Sequence, residues 1–254
     1  MRRGLATSLD EARRAVSAGL VTVGHVPATK AETLVAADVP LAVAVSHDGF
    51  VSRGGDKLDA ALSAFEIDPS GLRCLDAGAS TGGFTDRLLW GGAAHVVALD
   101  VGYGALAWEL RTDARVTVLE RMNVRALSPA DLPYAPELVT ADLSFISLRS
   151  VLDALVLVSS PLASFVLLVK PQFEAGRTEV GRGGVVRDAA VWRRVLAEVI
   201  AAAEGCGLGP LGAIPSPIRG PAGNVEFLLH LRRGAQPLAL DLAAVVAAGE
   251  AIAG

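Results

Sequence analysis

Four charged residues stand in strongly apolar sequence: Lys57 in Val-Ser-Arg-Gly-Gly-Asp-Lys-Leu, Asp142 in Ala-Asp-Leu-Ser-Phe-Ile-Ser-Leu, Lys170 in Leu-Leu-Val-Lys-Pro-Gln-Phe-Glu and Glu226 in Gly-Asn-Val-Glu-Phe-Leu-Leu. A charge taken out of water without a partner is costly, so each of them needs one. Taken singly, each reads as a structural ion pair; lysines and carboxylates are also the groups with which proteins hold and move protons. A second feature with chemical content is the turn Asp76-Ala-Gly78-Ala79-Ser80-Thr-Gly82-Gly83-Phe84. A dinucleotide site wants G-x-G-x-x-G, whose second glycine lets the backbone approach the pyrophosphate, and here that position is Ser80. S-adenosylmethionine has no phosphate. Its methionine end suits Asp-x-Gly-x-x-x-Gly-Gly, with an acidic residue at the end of the next strand to accept the ribose hydroxyls, and Asp76, Gly78, Gly82, Gly83 and Asp100 fill those places. Ala79, Ser80 and Phe84 within the turn, Val101 after Asp100, Asn123 and Asp142 complete the expected cofactor contacts.

The elements that must position these groups alternate. Short apolar strands are expected at Arg73 to Ala77, His95 to Leu99, Val116 to Leu119, Leu138 to Ala141 and Phe165 to Val169, and a helix follows the glycine turn through Trp90. Strands alternating with helices argue for a doubly wound, mostly parallel α/β sheet. In such sheets ligands bind beyond the carboxyl ends of the strands, so Asp76, Asp100, Asp142 and Lys170 should converge there.

Composition narrows the class. With 254 residues, 52% hydrophobic and mean hydropathy +0.45, the chain buries a sizeable core and is not a disordered polymer. The most apolar run, Leu155 to Val169, is interrupted by Ser159, Ser160 and Pro161 and is shorter than the ~20 residues a membrane span requires. No apolar segment of signal-peptide form follows Arg2 and Arg3, so a cytoplasmic protein is expected. Cys74 and Cys206 lack CxxC spacing and neighbouring histidines, so neither a metal site nor a disulfide scaffold is expected. A net charge of −4 excludes a uniformly basic nucleic-acid binder but not a local basic face.

In the amino-terminal part, Ser8-Leu9-Asp10-Glu11 has the form of a capping box, and Leu9, Ala12 and Val16 share one helical face. Leu20 to Val23, Gly24-His25 and Val26 read as a strand, a tight turn and a returning strand. Arg3, Arg13 and Arg14 lie away from the apolar face. The run Arg-Gly-Leu-Ala-x-Ser, then Ala-Arg-Arg-Ala-Val and Ala-Gly-Leu-Val-x-Val, resembles the S4 RNA-binding module over about residues 2 to 45. The helix that opens that module in the family has no counterpart before Arg3, which leaves two readings open: a truncated module, or a start that lies upstream. The expected layout is an S4-like α+β module at 1–45, a linker at 46–56, a methyltransferase domain at 57–235 and a helical tail at 236–254.

Lys57, Asp142, Lys170 and Glu226 together resemble the Lys-Asp-Lys-Glu tetrad of the FtsJ-like ribose 2′-O-methyltransferases. With Ser-Arg-Gly-Gly, Ala-Leu-Asp-Val-Gly-Tyr-Gly and Lys-Pro-Gln-Phe-Glu, the chain to about residue 233 is similar to the TlyA, or hemolysin A, family of rRNA cytidine 2′-O-methyltransferases. The resemblance implies S-adenosylmethionine as cofactor, ribosomal RNA within ribosomal subunits as substrate, and a monomer that needs no metal or membrane. The reaction fits the residues. A ribose hydroxyl is a poor nucleophile until its proton leaves, and the methyl group must lie in line between that oxygen and a sulfonium leaving group. A lysine accepts a proton only when its amine is partly neutral; burial and a second ammonium favour that form, and carboxylates oppose it. Lys170 is the candidate base or hydroxyl-steering group, Lys57 the neighbouring cation, and Asp142 and Glu226 the groups that orient the two lysines. Of 23 basic residues 20 are arginine, and two of the three lysines fall on this tetrad, where a guanidinium could not accept a proton.

Arg53 and the glycine-rich stretch Gln172 to Arg187, with Arg177, Arg182 and Arg187, are expected to grip RNA phosphates over the site. Trp108, Phe145 and Phe173 are available to stack on adenine or an extruded base, with core packing the preferred reading for Phe145. Two other readings stay open: a methyltransferase acting on protein or a small molecule, which has no need of Lys57, Lys170 and Glu226, and a non-enzymatic RNA-binding or membrane-lytic protein.

Overall fold

The computed structural model describes residues 49–253 continuously, together with residues 16, 21–24, 26–28, 30, 35, 36 and 39–43 of the amino-terminal part. There, β1 (Val21–Val23) pairs antiparallel with both β2 (Val26–Pro27) and β3 (Leu41–Val43). The turn from β1 to β2 has Gly24 at φ +65°, as the expected hairpin requires. Arg3, Arg13 and Arg14 lie outside the described residues.

The main body begins with α1 (Gly54–Ala64) and continues through β4 (Arg73–Ala77), α2 (Gly83–Trp90), β5 (His95–Leu99), α3 (Trp108–Arg111), β6 (Val116–Leu119), β7 (Leu138–Ala141), α4 (Leu152–Val158), β8 (Ser164–Val169), α5 (Pro171–Glu174), α6 (Ala189–Gly205), β9 (Leu208–Pro215), β10 (Phe227–Arg233) and α7 (Leu242–Ala253). Its seven strands run in the order β6-β5-β4-β7-β8-β10-β9; β4 to β8 pair in parallel and β10 is antiparallel to both neighbours. Because helices cover both faces, the strands are apolar on both sides rather than alternating. Leu75, Val97 and Val139 face a core completed by Leu155 of α4, Trp192 and Val195 of α6 and Val246 of α7. Cys74, Val96 and Leu138 face the opposite core, with Leu58 of α1 and Phe84 and Leu88 of α2. This is the expected doubly wound sheet. The order reverses at β4, flanked by β5 on one side and β7 on the other, which puts the ligand-binding crevice beyond its carboxyl end.

One stretch differs from the expected layout. The run expected to be a linker through residue 56 already contains the start of α1. Val51 donates its N–H to the Asp86 carboxylate at 2.8 Å, and the Phe50 ring lies 5.1 Å from that of Trp90. The paired glycines that make Arg53-Gly-Gly look like loop serve close packing: a Cβ on Gly83 would lie 2.3 Å from Ser52 Oγ and 2.8 Å from the Gly55 nitrogen, so α1 and α2 start in mutual contact. The carboxyl-terminal tail folds back on this body as α7. Asp241 caps α7 through Ala243 N and Ala244 N, Val246 is buried, and the Arg219 guanidinium donates to the Ile252 carbonyl.

Candidate active site

The turn after β4 is shaped by a crossing. Gly78, at φ +89°, passes so close to β7 that an added Cβ would sit 2.4 Å from the Asp142 carbonyl oxygen. Its N–H and that of Ala79 donate to the Leu99 carbonyl at 2.8 and 3.0 Å, joining the turn to the end of β5. There Asp100 accepts from Ser80 N through Oδ2 (2.8 Å) and from Gly102 N through Oδ1 (2.6 Å), which fixes the carboxylate and leaves each oxygen a free lone pair.

A cavity of about 480 Å3 opens at this point, lined among others by Gly78, Ser80, Asp100, Val101, Asn123 and Asp142. Its volume is in the range for a nucleoside-sized ligand. Met122, Val124 and Ile146 supply apolar walls for a base, and Asp100 the acceptors for ribose hydroxyls. The residues present therefore fit S-adenosylmethionine. The remaining expected contacts divide. Ala79, Gly83 and Phe84 line a second cavity of about 280 Å3, which shares Gly78, Ser80, Asp142 and Ser144 with the first and holds Lys57, Lys170 and Arg53. Gly82 lines neither cavity. Asp76 lines neither as well, since it is fully buried behind the turn, accepting from Thr85 Oγ1 at 2.7 Å and Thr140 Oγ1 at 3.3 Å. It braces the start of α2 against β7 from beneath.

Burial pushes the Asp76 carboxyl up to about 7, with the Thr85 hydroxyl pulling the other way and the charge of Asp142 adding to the rise. The folded value lies above the unfolded one near ~4, so the native state binds the extra proton in between. Stability is therefore expected to fall as pH rises from about 4 through 7 and to level off above. Asp76→Asn, neutral at every pH, should flatten that segment of the denaturation-midpoint profile; an unchanged slope would locate the titrating group elsewhere.

The tetrad assembles as two ion pairs. Lys57 Nζ lies 2.5 Å from Glu226 Oε2, and Lys170 Nζ lies 2.5 Å from Asp142 Oδ1. Lys170 also donates to Ser144 Oγ at 3.0 Å, a contact the sequence did not single out. Lys57, Lys170 and Glu226 are all at least nine-tenths buried. Each carboxylate thus orients one lysine and the charges cancel. Glu226 Oε1 is buried with no hydrogen-bond partner among the described residues. That oxygen packs against Gly220, where an added Cβ would lie 2.4 Å from it, and Glu226 lines neither cavity.

Among the aromatics, Phe145 departs from expectation. Instead of joining the core it is 92% exposed, with φ +63°, on the rim of the cofactor cavity, its ring centroid 5.2 Å from that of Phe173. The left-handed backbone turns outward a side chain whose apolar neighbours read as buried. Trp108 is also exposed and lines neither cavity. Arg53 is exposed at the mouth of the lysine cavity. Arg177, Arg182 and Arg187 are exposed on their loop, but none lines the paired cavities over which they were expected to close. Asn224 accounts for the loop's position: it accepts from Val186 N and donates to the Gly184 carbonyl, both at 2.9 Å, fastening the loop beside Glu226.

A sequence profile of the FtsJ-like methyltransferases matches residues 50–233. A relative from Mycobacterium tuberculosis, the 16S/23S rRNA (cytidine-2'-O)-methyltransferase TlyA, is 52% identical over 91% of this chain and 87% of its own length. The chain belongs to the TlyA/hemolysin A family of FtsJ-like methyltransferases. Hemolysin A of Brachyspira hyodysenteriae is a more distant member, 38% identical over 89% of this chain and 95% of that protein. A solved structure from Streptococcus thermophilus, described as a hemolysin, superposes with a TM-score of 0.79 at 38% identity, covering 99% of this chain and 93% of that one. The family uses S-adenosylmethionine as methyl donor, and the cavity beyond the carboxyl ends of β4, β5 and β7 suits it. Among the described residues no helix is long and apolar enough to cross a membrane.

Proposed function

We propose that this TlyA-family enzyme methylates a ribose 2′-OH of ribosomal RNA, at a cytidine, as the name of its Mycobacterium tuberculosis relative implies. The observation that carries the reading is the lysine cavity: Lys57 and Lys170, each buried on its own carboxylate, in a space that shares four residues with the cofactor cavity. A methyltransferase for an already nucleophilic amine or thiol has no use for such a group. S-adenosylmethionine supplies an electrophilic methyl group on a sulfonium.

The chain's own residues do the rest. Asp142 and Ser144 fix the Lys170 amine at the carboxyl end of β8, where in its neutral form it takes the proton of the 2′-OH. Lys57, held by Glu226, stabilises the alkoxide that develops. Arg53 and the exposed arginines Arg177, Arg182 and Arg187 grip phosphates, which fixes register without reading bases. The S4-like segment at residues 1–45, with Arg3, Arg13 and Arg14, adds a second hold on structured RNA, and one copy of the chain suffices.

Since a side chain cannot read the deep groove of A-form RNA, the target nucleotide leaves its stack to reach the lysines. Phe145, with Phe173 behind it, offers the face on which its base rests. Phe145→Ala is expected to lower transfer by about 10- to 100-fold, the equivalent of one base–aromatic stack, and to lower cofactor affinity far less. Initial rates and calorimetry of S-adenosylhomocysteine binding check both parts. The function is tested by tritium transfer from S-adenosylmethionine to purified ribosomal subunits; label that goes only to protein or to small acceptors would refute it.

A further inference from the structure

The carboxylate of Glu174, at the end of α5, is 5% exposed and wholly engaged with the segment after β7. Oε1 accepts from Leu148 N at 2.6 Å, and Oε2 accepts from Ser147 Oγ at 2.5 Å and Arg149 Nε at 3.3 Å. Arg149 closes the loop by donating to the Glu174 carbonyl at 2.9 Å and reaches Glu198 of α6, also at 2.9 Å. Only Leu143 to Ile146 lie between this latch and Asp142, and they include Ser144, bonded to Lys170, and Phe145.

Phe145 occupies a backbone region that a bulky residue rarely adopts, and such a conformation persists only where the surroundings over-determine it. Burial does not hold it, because the side chain is almost fully exposed. Three contacts do: Lys170 on Ser144, the Phe173 ring beside that of Phe145, and the Glu174 carboxylate on Ser147 and Leu148. All three come from the five residues Lys170 to Glu174.

We propose that Glu174 is a positioning residue: by locking the segment 143–148 onto α5 it makes Lys170 and the Phe145 face one rigid unit, so that base and lysine meet their nucleotide in register. This rests on the ribose methylation proposed above.

The test compares Glu174→Ala, Glu174→Gln and Ser147→Ala with wild type. Each is normalised to the sites that bind S-adenosylhomocysteine and read by kcat and KM on ribosomal subunits and by hydrogen exchange. Glu174→Ala should lower kcat about 10-fold or more, the penalty of a small misplacement, with KM and cofactor affinity changed less than about 3-fold. Amides 143–148 should exchange faster while those of β4 and β7 do not. Glutamine, which can accept from Leu148 N and donate to Ser147 Oγ but gives up the contact with Arg149 Nε, should restore part of kcat, and Ser147→Ala should also fall between alanine and wild type. Wild-type kcat per binding site in Glu174→Ala, glutamine as defective as alanine, or unchanged exchange over 143–148 would each overturn the proposal. Should the alanine variant not fold, Ser147→Ala and Glu174→Gln decide on the same criteria. If wild type fails to methylate subunits, the function is wrong, and the exchange data still report whether the latch exists.

Discussion

Lys170→Arg is expected to reduce kcat for methyl transfer by about 100-fold or more, the contribution of a positioned general base, while leaving the fold and cofactor affinity intact. Arginine can keep the ion pair with Asp142, which lies 2.5 Å from the native amine and retains some solvent contact, so no charge is orphaned. It cannot accept a proton at any accessible pH. Lys170→Ala should lose transfer to a similar extent, since it removes acceptor and positioning together. The comparison separates two roles of the lysine: retention of transfer within about 10-fold by arginine, with loss in alanine, would make Lys170 a steering cation and not a base.

Glu226→Ala should remove both stability and activity. The pair Lys57–Glu226 is almost fully buried and joins residues 169 positions apart, tying α1 to β10. Removing one partner of a buried pair strands the other charge, at about 3–5 kcal/mol. For a domain of this size that is about 10 °C in melting temperature. A double variant, Lys57→Met with Glu226→Leu, should regain most of the stability, because a buried pair replaced by apolar groups of similar volume is often neutral. Transfer should stay lost in the double variant. Recovery of both would reduce the pair to a structural tie.

The sequence carried the outline of the site because the chemistry sits at strand ends. Asp100, Asp142 and Lys170 each close an apolar run, so the doubly wound order alone brings them to one edge. What escaped is what depends on tertiary approach. Asp76 was read beside Asp100 as a strand-end carboxylate, yet it pairs with Ala98 inside β4, two positions before the level of Asp100, where Thr85 and Thr140 hold it in the interior. Phe145 was expected in the core because its neighbours are apolar; one positive φ reverses its direction. Ser144 and Glu174 stood in quoted motifs without a role, since their partners lie 26 residues away along the chain. The start of α1 was hidden by glycines that serve packing against Gly83, and the anchoring of the arginine-bearing loop was hidden because the bonds of Asn224 cross 38 to 40 positions.

The central claim, that the methyl group goes to a ribose oxygen of rRNA, is tested most directly by where the label sits. Ribosomal subunits methylated with tritiated S-adenosylmethionine are stripped of protein and their RNA is hydrolysed with alkali, which needs a free 2′-OH to cleave the neighbouring phosphodiester. The expected result is tritium in alkali-resistant dinucleotides whose 5′ nucleoside is cytidine, absent from the Lys170→Arg reaction. Tritium recovered in ordinary mononucleotides, as a methylated base would give, would contradict it.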